Sequence, residues 1–157
     1  MSTLTLACDE HVSAAAGLGC VCIVYRGRHF KHYPDACTEW TRKAYEHHGN
    51  ERVAVLVVIE NHAETPDSAS QRAYGENLKK SADYANAFGQ LLLSSGLMGS
   101  AHRAIVSTIF LFSRVPLKLK VFGAVDELTE WASEYTAPPH PTPTALAAFV
   151  ESVRTAV

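Results

Sequence analysis

The stretch Arg52-Val53-Ala54-Val55-Leu56-Val57-Val58-Ile59-Glu60 decides the fold. Seven apolar residues run without a break, most of them β-branched, with a charge at each end. Alternating polarity marks a strand with one wet face, whereas an unbroken run marks a segment covered on both. A buried helix has the same polarity, but β-branched side chains lose freedom in a helix and fit a pleated sheet. The run is therefore expected to be a central strand with helices above and below it.

Upstream, Pro34 suits the first turn of a helix, where its missing N–H costs nothing. Cys37, Trp40, Ala44 and His47 then recur at helical spacing, and Gly49-Asn50 supplies the stop. Before that helix, Cys20 to Tyr25 reads as an apolar strand. Thr3 to Cys8 reads as a half-buried strand near a sheet edge. Between them, Asp9 to Gly19 has little periodicity and is given at most a short strand over His11 to Ala14.

Downstream, Glu60 to Glu64 is a polar loop, and Thr65-Pro66-Asp67 opens a helix with a hydroxyl cap, a proline and an acid. This helix is expected to reach about Tyr84 and to be weakly held. Its apolar stripe is thin, and Gly75 costs it about 1 kcal/mol relative to Ala. Phe88 to Leu93 reads as a strand, and Ser94 to Ser100 as a small-residue loop. Met98 to Arg114 reads as a helix apolar on most of its circumference, stopped by Pro116. Leu117 to Phe122 alternates as a half-exposed strand. Val125, Leu128, Trp131 and Tyr135 then mark an amphipathic helix.

The order β-β-α-β-α-β-α-β-α implies an α/β domain over residues 1–136, with a mixed, mostly parallel sheet and helices on both faces. Residues 137–143, with Pro138, Pro139, Pro141 and Pro143, read as a stiff extended linker. Residues 144–157 read as a C-terminal helix with Leu146, Phe149, Val153 and Val157 on one side.

The chain has 157 residues, a hydrophobic fraction of 47% and a net charge of −2. That length suffices for a sizeable core, and that charge gives no footprint for nucleic acid. No apolar run is long enough to span a membrane, and Met1 to Val12 lacks the pattern of a signal peptide. A cytoplasmic location and reduced cysteines are expected, rather than two disulfides among Cys8, Cys20, Cys22 and Cys37. The eight histidines are scattered and match no metal motif, so no metal or cofactor is expected.

The order of elements from Cys20 to Tyr135 resembles the STAS domain, and more closely the SpoIIAA-like, or STAS/SEC14-like, bacterial proteins. Four stretches carry the likeness: Val24-Tyr25-Arg26-Gly27 closing a strand; Thr65-Pro66-Asp67 with Arg72 in the next helix; Gly96 to Arg103 opening an apolar helix; and Val121 to Trp131. The last is similar to the family's Phe-x-x-x-x-Glu-Ala-x-x-Trp ending, with Leu128 where Ala is usual. The resemblance implies a non-catalytic regulatory or signalling module that acts through a protein partner or as a homodimer. In partner-switching members a phosphorylatable serine opens the helix after the central strand, in an Asp-Ser-Ser-Gly-like turn. That turn is absent here, and Thr65 and Ser68 hold roughly its place.

Ligands of open α/β sheets gather outside the carboxyl ends of the parallel strands. Two sets of candidates follow. Ser94, Ser95, Gly96 and Ser100 offer a small-residue helix start to an anionic or lipid-like ligand. Thr65, Asp67, Ser68, Arg72 and Phe110 form a prospective regulatory or partner surface. Glu60, His62 and Glu64 are a weaker candidate for acid–base or metal chemistry, and Ser94, His102 and Glu60 a weaker one still for a triad, since nothing like Gly-x-Ser-x-Gly surrounds the serine.

Overall fold

In the computed structural model, which describes residues 2–156, six strands form one mixed sheet whose spatial order is the chain order. They are β1 (Leu4–Cys8), β2 (Val12–Gly17), β3 (Cys20–Tyr25), β4 (Val53–Ile59), β5 (Ala85–Leu92) and β6 (Lys118–Phe122). β1, β2 and β3 pair antiparallel, and β3 to β6 pair parallel. β4 is the central strand expected of residues 52–60. Its residues 53–58 are buried, and they alternate between two cores.

The five helices are α1 (Tyr33–His47), α2 (Ser68–Ser81), α3 (Gly96–Ser113), α4 (Val125–Ala132) and α5 (Pro143–Thr155). Val21, Ile23, Val53, Val55 and Val57 face a core closed by Tyr33, Cys37, Trp40 and Ala44 of α1, Leu78 of α2, and Ile109 and Phe110 of α3. Cys20, Cys22, Val24, Ala54, Leu56 and Val58 face a second core, closed by Leu128 and Ala132 of α4 and by Leu146, Phe149, Val150 and Val153 of α5. Strand period two sends each strand's neighbours to opposite layers.

Two expectations are corrected. The weakly periodic segment after Asp9 holds a full six-residue strand, β2, so three strands precede α1. Its Ser13-Ala14-Ala15-Ala16 lacks bulk because α1 and α5 approach it from the two sides, and small residues erase the pattern that bulky ones would write. Helix α2 is capped by Asp67, whose carboxylate accepts from the Ser70 N–H at 2.8 Å, so Thr65 is not the cap; the helix ends at Ser81, short of Tyr84. Helix α5 does not touch α3. It lies on the opposite face beside α4.

Helix α5 is seated by specific polar contacts. Arg26, from the stretch that closes β3, donates through its guanidinium to the carbonyls of Val153 at 3.3 Å and Arg154 at 3.1 Å. It thus satisfies the open carbonyls at the end of α5, where a cation also suits the helix dipole. Arg154 pairs with Glu60 at 2.8 Å, which ties α5 to the end of β4. The segment before the prolines is anchored by Ala137, whose N–H donates to the Gly19 carbonyl at 2.8 Å. Met1 and Val157, the last of the expected α5 stripe, lie outside the described residues.

Candidate functional site

The parallel strands β3, β4 and β5 end at Tyr25, Ile59 and Leu92, and above these ends α2 and α3 stand off the sheet. The space between encloses a cavity of about 70 Å³. Its floor is Val57 and Ile59 of β4 with Phe88, Gln90 and Leu92 of β5. Its roof is Ile105, Val106, Ile109 and Phe110 of α3 with Tyr74 and Leu78 of α2. The exposed residues Arg28, Glu64 and Thr65 border it from the connecting loops.

The gap has a local cause. Gly75 of α2 faces α3 so closely that a Cβ there would lie 2.9 Å from the Phe112 Cβ. The two helices therefore pack tightly on each other. Toward the sheet, the buried residues of α3 are few: Gly99, His102, Val106 and Ser113. On its other flank α2 meets α1 through polar groups. The Thr38 hydroxyl donates to the Asn77 side-chain oxygen at 2.5 Å, and the Asn77 amide donates to Asp35 at 3.0 Å. The thin apolar stripe of α2 reflects this polar seam, since buried amides are stable when bonded.

The polar groups of the cavity wall are nearly all satisfied. Tyr25 and Cys37 bond each other, and His29 bonds the Tyr74 hydroxyl at 2.8 Å. Burial raises both Tyr25 and Tyr74 well above the usual phenol range and pushes the Cys37 thiol up to about 12. Neither phenol nor thiol ionises at neutral pH, so the wall offers no thiolate or phenolate nucleophile there. Burial also lowers His29 below the ordinary imidazole value, which favours its neutral form.

His102 is the exception. Its Nδ1 bonds the Ser94 hydroxyl at 2.6 Å, and the residue is 4% exposed. Its Nε2 is buried and has no hydrogen-bond partner, the one such side-chain atom found among the described residues. A buried polar atom left unbonded costs about 1–3 kcal/mol, so its persistence calls for an explanation. The stripe Gly99, His102, Val106, Ile109 and Ser113, at spacings of three and four, is the sequence signal that places this histidine on the inner face of α3.

The residues singled out from the sequence divide. Ser94 enters the site through His102, and Thr65 borders the cavity. Ser95 is the N-cap of α3 without a side-chain bond, Gly96 takes a positive φ of 65°, and Ser100 is exposed. Asp67 is occupied as the cap of α2, and Ser68 is exposed at its start. Arg72 lies over the Phe112 ring at 5.8 Å. Phe110 is half-buried and faces the cavity, so the outward apolar residues of α3 are others. Glu60, His62 and Glu64 do not converge. Glu60 turns to Arg154, and His62 is exposed in the loop. No cluster of three or more His, Cys, Asp or Glu able to hold a metal occurs among the described residues. Glu60 is likewise absent from the Ser94–His102 pair, which has no acid behind it. Comparison of the chain with family models, with curated proteins and with solved structures finds no match.

Proposed function

We propose that the chain is a non-catalytic, STAS-like binding module that takes a small, mostly apolar molecule with one polar end between its sheet and helices α2 and α3. The observation that carries this reading is the unbonded His102 Nε2 on a mostly apolar cavity whose other buried polar groups are bonded. Pockets that bind small molecules combine apolar walls with a few placed polar groups, and a ligand hydroxyl or carboxyl would supply the bond that Nε2 lacks. The cavity limits the bound portion to a short aliphatic chain or a single ring, unless α3 lifts. A ligand bound to the folded state alone stabilises it by about 2.7 kcal/mol at a hundred times its Kd, or roughly 5–10 °C in melting temperature for a chain of this size.

The test is a melting-temperature series with n-hexanol, hexanoate, p-cresol and indole, on the wild type and on His102→Phe. A rise of several degrees with at least one probe, lost in the variant, supports the reading. A flat series on a well-folded wild type contradicts it. The difference between hexanol and hexanoate decides whether the polar end is neutral or anionic.

A second reading, regulation through a protein partner, is motivated by the exposed helix start at Thr65, Asp67 and Ser68. Phosphorylation at Thr65 or Ser68 belongs to it. Both residues are exposed near the start of α2, where the helix dipole tolerates a phosphate. Intact-mass measurement on protein from its own host checks this: an added phosphate supports it, and its absence under all growth conditions removes it.

A further inference from the structure

Helix α3 carries apolar residues on the wrong side. Of the five large hydrophobic residues exposed among the described residues, four belong to it: Leu97 at 92%, Leu111 at 75%, Met98 at 50% and Phe112 at 44%. Leu97, Ala101, Ala104, Thr108 and Leu111 follow one another at spacings of four and three, so they share a single face, opposite His102 and Val106. The helix is thus apolar inward and apolar outward. Contiguous exposed apolar faces mark contact surfaces.

The charge around this face is mainly positive. Helix α3 and its C-cap Arg114 carry no Asp or Glu, and Arg103 and Arg114 are exposed. Two cations from α2 join them in space. Arg72 lies over the Phe112 ring, and Lys79 shares a surface depression with Leu111, Phe112 and Arg114. The one carboxylate bonded there is Glu76, 3.1 Å from Lys79.

We infer that the outer face of α3 docks on an anionic lipid surface, with Leu97, Leu111 and Phe112 entering the headgroup boundary and Arg72, Arg103 and Arg114 meeting lipid phosphates. An amphipathic helix with apolar residues and a basic border lies in such an interface, and its binding weakens as salt rises. A second copy is the poorer occupant. It would bring the same cations together with only Glu76, already paired with Lys79, to meet them. A helix of 18 residues is about 27 Å long, so an α3–α3 pair alone falls short of the roughly 1,200 Å² of a stable interface. This inference rests on the outer face and not on the cavity, so either can fail while the other stands.

The test is co-sedimentation of the full chain with vesicles of phosphatidylcholine, or of phosphatidylcholine with 30% phosphatidylglycerol, at 0.1 M and 0.5 M salt. The expected result is at least tenfold tighter binding to the anionic vesicles, largely lost at 0.5 M salt. Leu97→Ser/Leu111→Ser and Arg72→Gln/Arg114→Gln should each lose at least tenfold with unchanged melting temperature, because these side chains are exposed. Equal or no binding to the two vesicle types overturns the inference. So does a concentration-dependent dimer, seen by sedimentation, that Leu97→Ser/Leu111→Ser abolishes while vesicle binding survives.

Discussion

Single residues of this protein act through what their polar atoms lack or possess. His48 closes α1 with both ring nitrogens used: Nδ1 donates to the Ala44 carbonyl at 2.8 Å, and Nε2 accepts from the Gly19 N–H at 3.0 Å. Burial depresses its pKa below 6.5, so the folded state favours the neutral ring and the unfolded state binds the proton first. Stability is therefore full above about pH 6.5 and falls as pH drops toward the folded pKa. His29, depressed by burial as well, adds in the same direction. His48→Gln keeps an acceptor but cannot titrate, so urea unfolding between pH 8 and 5 should show a shallower loss than in the wild type; an unchanged slope would exclude His48 as the cause. Gly19 beside it has φ at 75°, and a Cβ there would run into the Ala137 carbonyl oxygen. Gly19→Ala should cost at least about 2 kcal/mol in the same assay, since neither strain nor backbone clash can relax cheaply. At His102 the sign reverses. An apolar ring removes the unbonded Nε2, so His102→Phe should leave stability unchanged or raised even as it loses the binding proposed for the cavity. Ser94→Ala should instead cost about 1–3 kcal/mol, because it strands Nδ1 as well.

At the scale of elements, bulk and polarity decided what could be read from the sequence. β4 was legible because every residue from Val53 to Ile59 is apolar, and α1 because Pro34 and Gly49 bracket its stripe. β2 was not, since its residues are small where helices crowd both faces. The cap of α2 fell two residues later than Thr65 because an aspartate with a free N–H three residues on competes better for the role. The site itself was legible only as a rim. The sheet order put Thr65 and Ser94 at the carboxyl ends, but the cavity arises from the spacing of α2 and α3, which depends on Gly75 and is not written in any motif. The loose seat of α3 has a dynamic consequence. Its backbone amides should exchange with solvent faster than those of β4 by orders of magnitude, because few buried side chains resist its local opening. Equal protection of α3 and β4 in native-state hydrogen exchange would contradict this. Gly75→Val should force the two helices apart and raise exchange in both.

The whole molecule is one sheet with two unequal roofs. α4 and α5 close one face with Leu128, Leu146 and Val150 fully buried, and Arg26 and Glu60 fasten α5 in place. The other face is sealed by α1 but only bridged by α3, and there the cavity remains. An interior normally packs to crystal density, and the proposed function reads the space beside the unbonded imidazole as room for a ligand. Filling it from the sheet side tests this most directly. Val57 is 3% exposed in β4 and lines the floor, so Val57→Phe places an added ring in the cavity without touching His102 or the outer face of α3. Calorimetric titration of a probe that raises the wild-type melting temperature should show at least a tenfold weaker Kd in Val57→Phe, with the variant as stable as the wild type or more so. Undiminished affinity in that stable variant would show that the probe binds elsewhere, and the cavity would lose its assigned role.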